Sequence, residues 1–123
     1  MNRAVENITE AWTSQDIQLI ARHTRKDQTI AVYLKGKYQY SIDTGDYLDM
    51  TRDAFRANKT LRFKLDRVEK KQRDVYVVTG RHTYKNRDSD EKVVLVNYVL
   101  EKIDDEYVIT QVGSAPEKLE EEE

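Results

Sequence analysis

Cysteine is absent from this chain of 123 residues. Its absence excludes a disulfide framework, a thiolate nucleophile and any cysteine-ligated metal, and it suits the reducing cytoplasm, where the protein is expected to work. With one proline and four glycines, the chain has neither a proline-rich spacer nor a glycine-rich phosphate loop. No stretch approaches the roughly 18 consecutive apolar residues of a membrane span, and Met1 is not followed by the apolar core of a signal peptide. Charge of one sign is also missing, because 21 Lys and Arg stand against 23 Asp and Glu for a net −2. Most of that imbalance lies in Pro116–Glu123, with five Glu and one Lys. The remainder is only slightly basic, too weakly to mark a nucleic-acid surface. His23 and His82 are far apart in sequence with no third ligand in phase, so neither a metal nor a cofactor is expected.

What is present is charge and tyrosine. Charged residues make up 36% of the chain, against about 25% in an average domain, which implies a small core and a dense polar surface. Eight tyrosines outnumber two phenylalanines and one tryptophan. Tyrosine combines apolar area with a hydroxyl and suits pocket walls as well as strand surfaces.

The first third of the chain reads as helical. Val5, Ile8 and Trp12 have helical spacing over 2–12. Thr13-Ser14-Gln15-Asp16 resembles a capping box, with Thr13 as N-cap, ahead of a second helix that places Ile17, Ile20, Ala21 and Thr24 on one face. Thr29–Leu34 and Tyr38–Ile42 form a strand pair turning at Gly36-Lys37. A third helix opens at Asp43-Thr44-Gly45-Asp46, buries Tyr47, Met50, Ala54 and Phe55, and stops near Asn58. Four strands follow at about 60–70, 73–86, 91–103 and 106–113, with breaks short enough for antiparallel hairpins.

Turn lengths set a register. Pairing Lys70 with Arg73, Asn86 with Glu91 and Ile103 with Glu106 gathers Phe63, Tyr76, Val78, Gly80, His82, Val93, Leu95, Asn97 and Val112 on one face. The other face takes Arg81, Val94, Val96, Tyr98, Leu100, Tyr107, Ile109 and Gln111. Three helices can cover only one face, and the first is the more uniformly apolar. The second is then an exposed apolar patch of the kind that marks an interface, and a homodimer is expected through it. A bulge at Gly80 would instead move His82 to the other face.

The element order, together with Ala11-Trp12-Thr13-Ser14-Gln15-Asp16-Ile17, Gly45-Asp46-Tyr47-Leu48, Val78-Thr79-Gly80-Arg81-His82 and the hairpin Leu100–Ile109, resembles the nuclear-transport-factor-2-like (SnoaL-like) superfamily over about residues 3–114. The resemblance implies an α+β cone, three N-terminal helices packed on a strongly curved antiparallel sheet as in the cystatin-like α+β roll. Length and charge place residues 1–115 in a single domain and 116–123 in an acidic, disordered tail. Many members pair through the sheet, as the dimer expectation requires. No activity carries over: Thr29–Leu34 lacks the carboxylate of ketosteroid-isomerase-like members, and the inner sheet face lacks the Asp-Arg-Asp set of epoxide-hydrolase-like ones.

The candidate pocket between helices and sheet comprises Trp12, Tyr33, Tyr40, Tyr47, Phe63, Tyr76, His82 and Asn97, and a small apolar or aromatic molecule is its expected ligand. His82 is the one catalytic candidate, one diagonal step from Asn97, and no carboxylate orients it; a core histidine satisfied by Asn97 or a backbone carbonyl is the simpler reading. The alternatives to a binding module are a small isomerase or cyclase using His82, and a protein-binding or assembly domain without a ligand. The basic run Lys59–Arg73 has no aromatic interleaved among its outward positions for base stacking and reads as protection of an edge strand.

Overall fold

A computed structural model of the chain describes residues 1–117. The elements run α1 (Asn2–Ser14), α2 (Ile17–Ala21), β1 (Thr29–Leu34), β2 (Lys37–Asp43), α3 (Thr44–Ala57), β3 (Lys59–Gln72), β4 (Val75–Lys85), β5 (Glu91–Ile103) and β6 (Glu106–Pro116). The fold is α+β, with six strands in the order β2-β1-β6-β5-β4-β3. The expected antiparallel sheet is mixed at one place, since β1 and β6 are parallel. The cause is topological: α3 carries the chain from the β1–β2 hairpin to the far edge. The meander β3 to β6 then returns and ends beside β1 in the same direction.

The helix junctions differ in detail from expectation. α1 continues to Ser14 because the Thr13 hydroxyl donates back to the Thr9 carbonyl at 2.9 Å instead of capping the next helix. Gln15 then adopts the left-handed conformation (φ 57°). Asp16 is the true N-cap of α2, its Oδ1 accepting the Gln18 amide at 3.0 Å. The Gln15 side chain donates to the Phe55 and Asn58 carbonyls at 2.9 and 2.7 Å, which ties this junction to the end of α3. On α3 the buried residues are Thr44, Tyr47, Thr51 and Phe55, while Met50 is exposed.

The largest correction concerns β5. Asn86 accepts the amides of Asp88 and Asp90 through its side-chain oxygen at 2.9 and 3.0 Å, and Ser89 is left-handed at φ 64°. This side-chain-closed loop takes in Asn86 itself, so Lys85 pairs with Glu91. One residue of slip reverses every side chain of a strand. Val94, Val96, Tyr98 and Leu100 therefore face the helices, and Leu95 and Asn97 face away. Leu100 and Ile109 are fully buried and join Ile8, Ile20, Ile30 and Val78 in the core. Each such side chain contributes roughly 1.5–3 kcal/mol by leaving water.

Bulges keep the other strands in phase. The turn expected at Lys71-Gln72 falls at Arg73-Asp74, with Gln72 opposite Val75, and two of the three shifts within β3 lie between it and Phe63, which pairs with His82 and stays on the inner face. One shift falls between Leu65 and Arg67, opposite Gly80. A Cβ on Gly80 would run into the Lys64 carbonyl oxygen, so only glycine fits there. The irregularity is thus in β3, and His82 stays on the inner face. A shift between Val99 and Leu100 on the β5–β6 pair likewise leaves Gln111 outside and Val112 inside.

β3 is a sheet edge, where Glu69 meets Arg67 at 3.2 Å and Lys71 at 3.4 Å, in keeping with a guarded edge. At the C-terminal end β6 includes Pro116. Glu117 bonds the Val93 carbonyl through its amide at 3.2 Å and Arg81 through its carboxylate at 2.9 Å. The ordered body therefore extends beyond the boundary expected at residue 115; the rest of the expected tail, 118–123, lies outside the described residues. No helix among the described residues is long and apolar enough to cross a membrane.

Candidate functional site

A cavity of about 340 Å³ opens between α3, the end of α1 and the inner sheet face. Its walls are aliphatic and aromatic: Val32, Leu34, Val94, Val96 and Val112 from strands, Trp12 from α1, Met50 and Ala54 from α3. The polar groups are Tyr33, Tyr40, Tyr47, Thr51, Asn58, His82, Tyr84, Tyr98 and Ser114. No Asp, Glu, Lys or Arg is among the lining residues.

Strand alternation and helical spacing position these groups. Tyr47 and Thr51 lie four residues apart on one face of α3, and both are buried. Tyr98 reaches the same point from β5. The Trp12 indole donates to the Tyr98 hydroxyl at 2.8 Å, and the Tyr47 hydroxyl lies close to those of Tyr98 and Thr51. Burial pushes both phenols up from their ordinary range, Tyr98 well above it, so they remain neutral hydroxyls. The cluster is polar without carrying any charge.

His82 occupies the deep corner beside Trp12. Its ring centroid is 4.8 Å from that of Trp12, 4.9 Å from Tyr84 and 5.4 Å from Phe63. Trp12 and Phe63 stack nearly parallel, 3° apart at 5.5 Å. His82 Nε2 bonds the Thr60 hydroxyl at 2.9 Å. Desolvation lowers its pKa from 6.5 to about 4, so the imidazole is neutral near pH 7.

Of the residues expected in the pocket, Trp12, Tyr33, Tyr40, Tyr47 and His82 line the cavity. Phe63 stands behind Trp12 as a supporting ring. Tyr76 is at the other end of the sheet, edge-on to Tyr107 at 5.8 Å. Asn97 is on the outer face, paired with Thr79 and Gly113, so it is no partner for His82. The expected interface set breaks up for the same reason. Val94, Val96 and Tyr98 line the cavity, Leu100 and Ile109 are core, and Tyr107 packs against the core. Only Arg81 and Gln111 remain on the outer face, where they line a shallow groove of about 550 Å³ with Leu95 and Asn97. Sequence reasoning missed Thr51, Tyr84 and Tyr98 as pocket residues. The available signal was Trp12, whose buried indole N–H needs an acceptor. Among the described residues no group of three or more His, Asp or Glu side chains is arranged to hold a metal ion.

No family model matches the chain, and no curated protein matches it. Solved structures do. A DUF4783 family protein from Bacteroides uniformis superposes with a TM-score of 0.74 at 17% identity, covering 92% of this chain and 96% of its own. An NTF-2 like protein of unknown function from Shewanella oneidensis gives 0.69 at 19%, covering 93% and 94%. A ketosteroid isomerase-like protein from Erwinia carotovora atroseptica gives 0.73 at 11%, covering 95% and 93%. At these identities the likeness is one of fold.

Proposed function

Because the chain has the nuclear-transport-factor-2-like fold, we propose that it is a binding module for a small, neutral, apolar or aromatic molecule held in the cone between helices and sheet. The observation that carries this reading is the composition of the cavity wall: aromatic rings, aliphatic side chains and hydroxyls, without one formal charge. A charged ligand would lose its hydration there with no counter-charge in return, whereas a neutral ring would bury its area against Trp12, Tyr84 and the valines. Acid–base turnover is the weaker reading. A general base is most effective with a pKa near the working pH, whereas His82 is displaced to about 4 and no carboxylate lines the cavity. Native mass spectrometry of the purified protein, followed by titration with neutral aromatics and their carboxylate analogues, tests the proposal. Saturable binding of the neutral compounds alone is expected; exclusive binding of the carboxylates would overturn it.

A homodimer through the outer sheet face is the second reading, on different residues from those first expected. Val77, Val93 and Val99 are half-buried there and Leu95 is 42% exposed, an aliphatic strip beside Arg81 and Gln111. Sedimentation should give twice the monomer mass, and Leu95→Glu should halve it; a monomeric wild type at micromolar concentration removes this reading.

A further inference from the structure

The hydrogen bonds around the cavity leave one buried ring nitrogen over. The Trp12 indole N–H is satisfied by the Tyr98 hydroxyl, and the hydroxyls of Tyr47, Tyr98 and Thr51 neighbour one another. His82 does not complete its set. Its side chain is only 5% exposed, Nε2 is taken by Thr60, and Nδ1 has no hydrogen-bond partner among the described residues. Leaving such a group unmade costs about 1–3 kcal/mol, and the ring borders the cavity. We propose that His82 Nδ1 is the polar anchor of the ligand, and that the ligand is a neutral aromatic or alicyclic molecule carrying a hydroxyl at the end that enters between Trp12 and Tyr84. This deepens the binding-module reading and rests on it.

A hydroxyl is favoured by the chemistry of the pair behind it. The Thr60 hydroxyl can donate to Nε2 or accept from it, so Nδ1 is either a donor or an acceptor. A ligand hydroxyl meets both cases, whereas a carbonyl only accepts and an ammonium only donates. The flanking rings bring apolar area and no competing donor, because the Trp12 N–H is already spent on Tyr98. Thr60 is absent from the cavity wall; it acts through His82 and is a positioning residue.

The test compares para-tert-butylphenol with tert-butylbenzene, which lacks only the hydroxyl. Trp12 is the single tryptophan of the chain and lines the cavity, so its fluorescence reports occupancy. The phenol should bind wild type about tenfold more tightly, the equivalent of about 1.4 kcal/mol. In His82→Phe the two compounds should bind alike, with the hydrocarbon's affinity kept within about twofold, as one added hydrogen bond implies. Thr60→Val should reduce the phenol's advantage while sparing the hydrocarbon. A measurement on wild type stands apart from the variants: the phenol, but not the hydrocarbon, should move the ¹⁵N resonance of His82 Nδ1. Equal affinities in wild type, a preference that survives His82→Phe, or an unmoved Nδ1 resonance would each overturn the anchor. If neither compound binds, the pocket reading itself fails.

Discussion

The chain has two histidines, His23 and His82, and burial depresses the pKa of both. Their surroundings differ. His23, just beyond α2, uses both ring nitrogens: Nδ1 meets the Tyr107 carbonyl at 3.2 Å and Nε2 meets the Asn7 amide at 3.0 Å. Its own carbonyl accepts the Ile109 amide at 2.7 Å. Carbonyl and amide together specify the neutral ring with its hydrogen on Nδ1, and the ring fastens α1 and α2 to β6. His82 has one polar partner and three aromatic neighbours, and it borders open space. A histidine with every position used is a structural fastening, whereas one with a position free beside a cavity has chemistry left to offer.

The strongest way to break the contrast is at the wall of the His82 corner. Trp12→Ala removes the stack on Phe63, the edge contact to Phe55 at 4.8 Å and the donor to Tyr98. A loss of about 3–5 kcal/mol is expected, read from urea unfolding followed by circular dichroism. A loss below about 1 kcal/mol would mean that this corner is not packed as described.

Acid separates the corners next. A histidine whose folded pKa lies below its unfolded value of 6.5 stabilises the fold fully above that pH and loses the contribution as pH falls towards the folded value. For His82 the window runs from 6.5 to about 4, worth about 3 kcal/mol across it. His82→Gln should therefore be less acid-sensitive than wild type by about that amount between pH 7 and pH 4. Parallel stability–pH curves would contradict the assigned burial.

The smallest expected effect concerns His23. Asn7→Asp replaces a donor facing Nε2 with a carboxylate, which favours the protonated ring. The pKa of His23 should rise, followed by NMR titration of its ring protons, while that of His82 stays put. A further fall in the His23 pKa would mean that the Asn7 contact is misassigned.

Much of the fold was legible in the sequence because local signals agreed. The Val5, Ile8, Trp12 spacing placed α1, Asn58 closed α3, and short breaks delivered the β3–β6 meander. Tyr33, Tyr40, Tyr47, Trp12 and His82 were found for the pocket because they lie on elements whose phase was right. Tyr98, Val94 and Val96 were lost to the wrong face by one residue at Asn86. Apolarity could not correct the error, since β5 alternates between two apolar sets: Val93, Leu95 and Val99 against Val94, Val96, Tyr98 and Leu100. In β3, by contrast, one face carries Arg62, Lys64 and Asp66, all exposed.

The sequence by itself determined the element order, the hairpin meander, the uncharged aromatic character of the pocket and the isolation of His82 from any carboxylate close to it in the chain. Those properties follow from periodicity and composition, which act over a few residues. The tertiary structure alone decided which face of β5 meets the helices, the parallel seating of β6 beside β1, and the pairing of Trp12 with Tyr98 rather than His82 with Asn97. The physical reason is that a strand's facing depends on the parity of its loops and bulges. Parity is set by side-chain-to-backbone bonds such as those of Asn86 and by close approaches such as Gly80 against Lys64, which exist only once the strands have met.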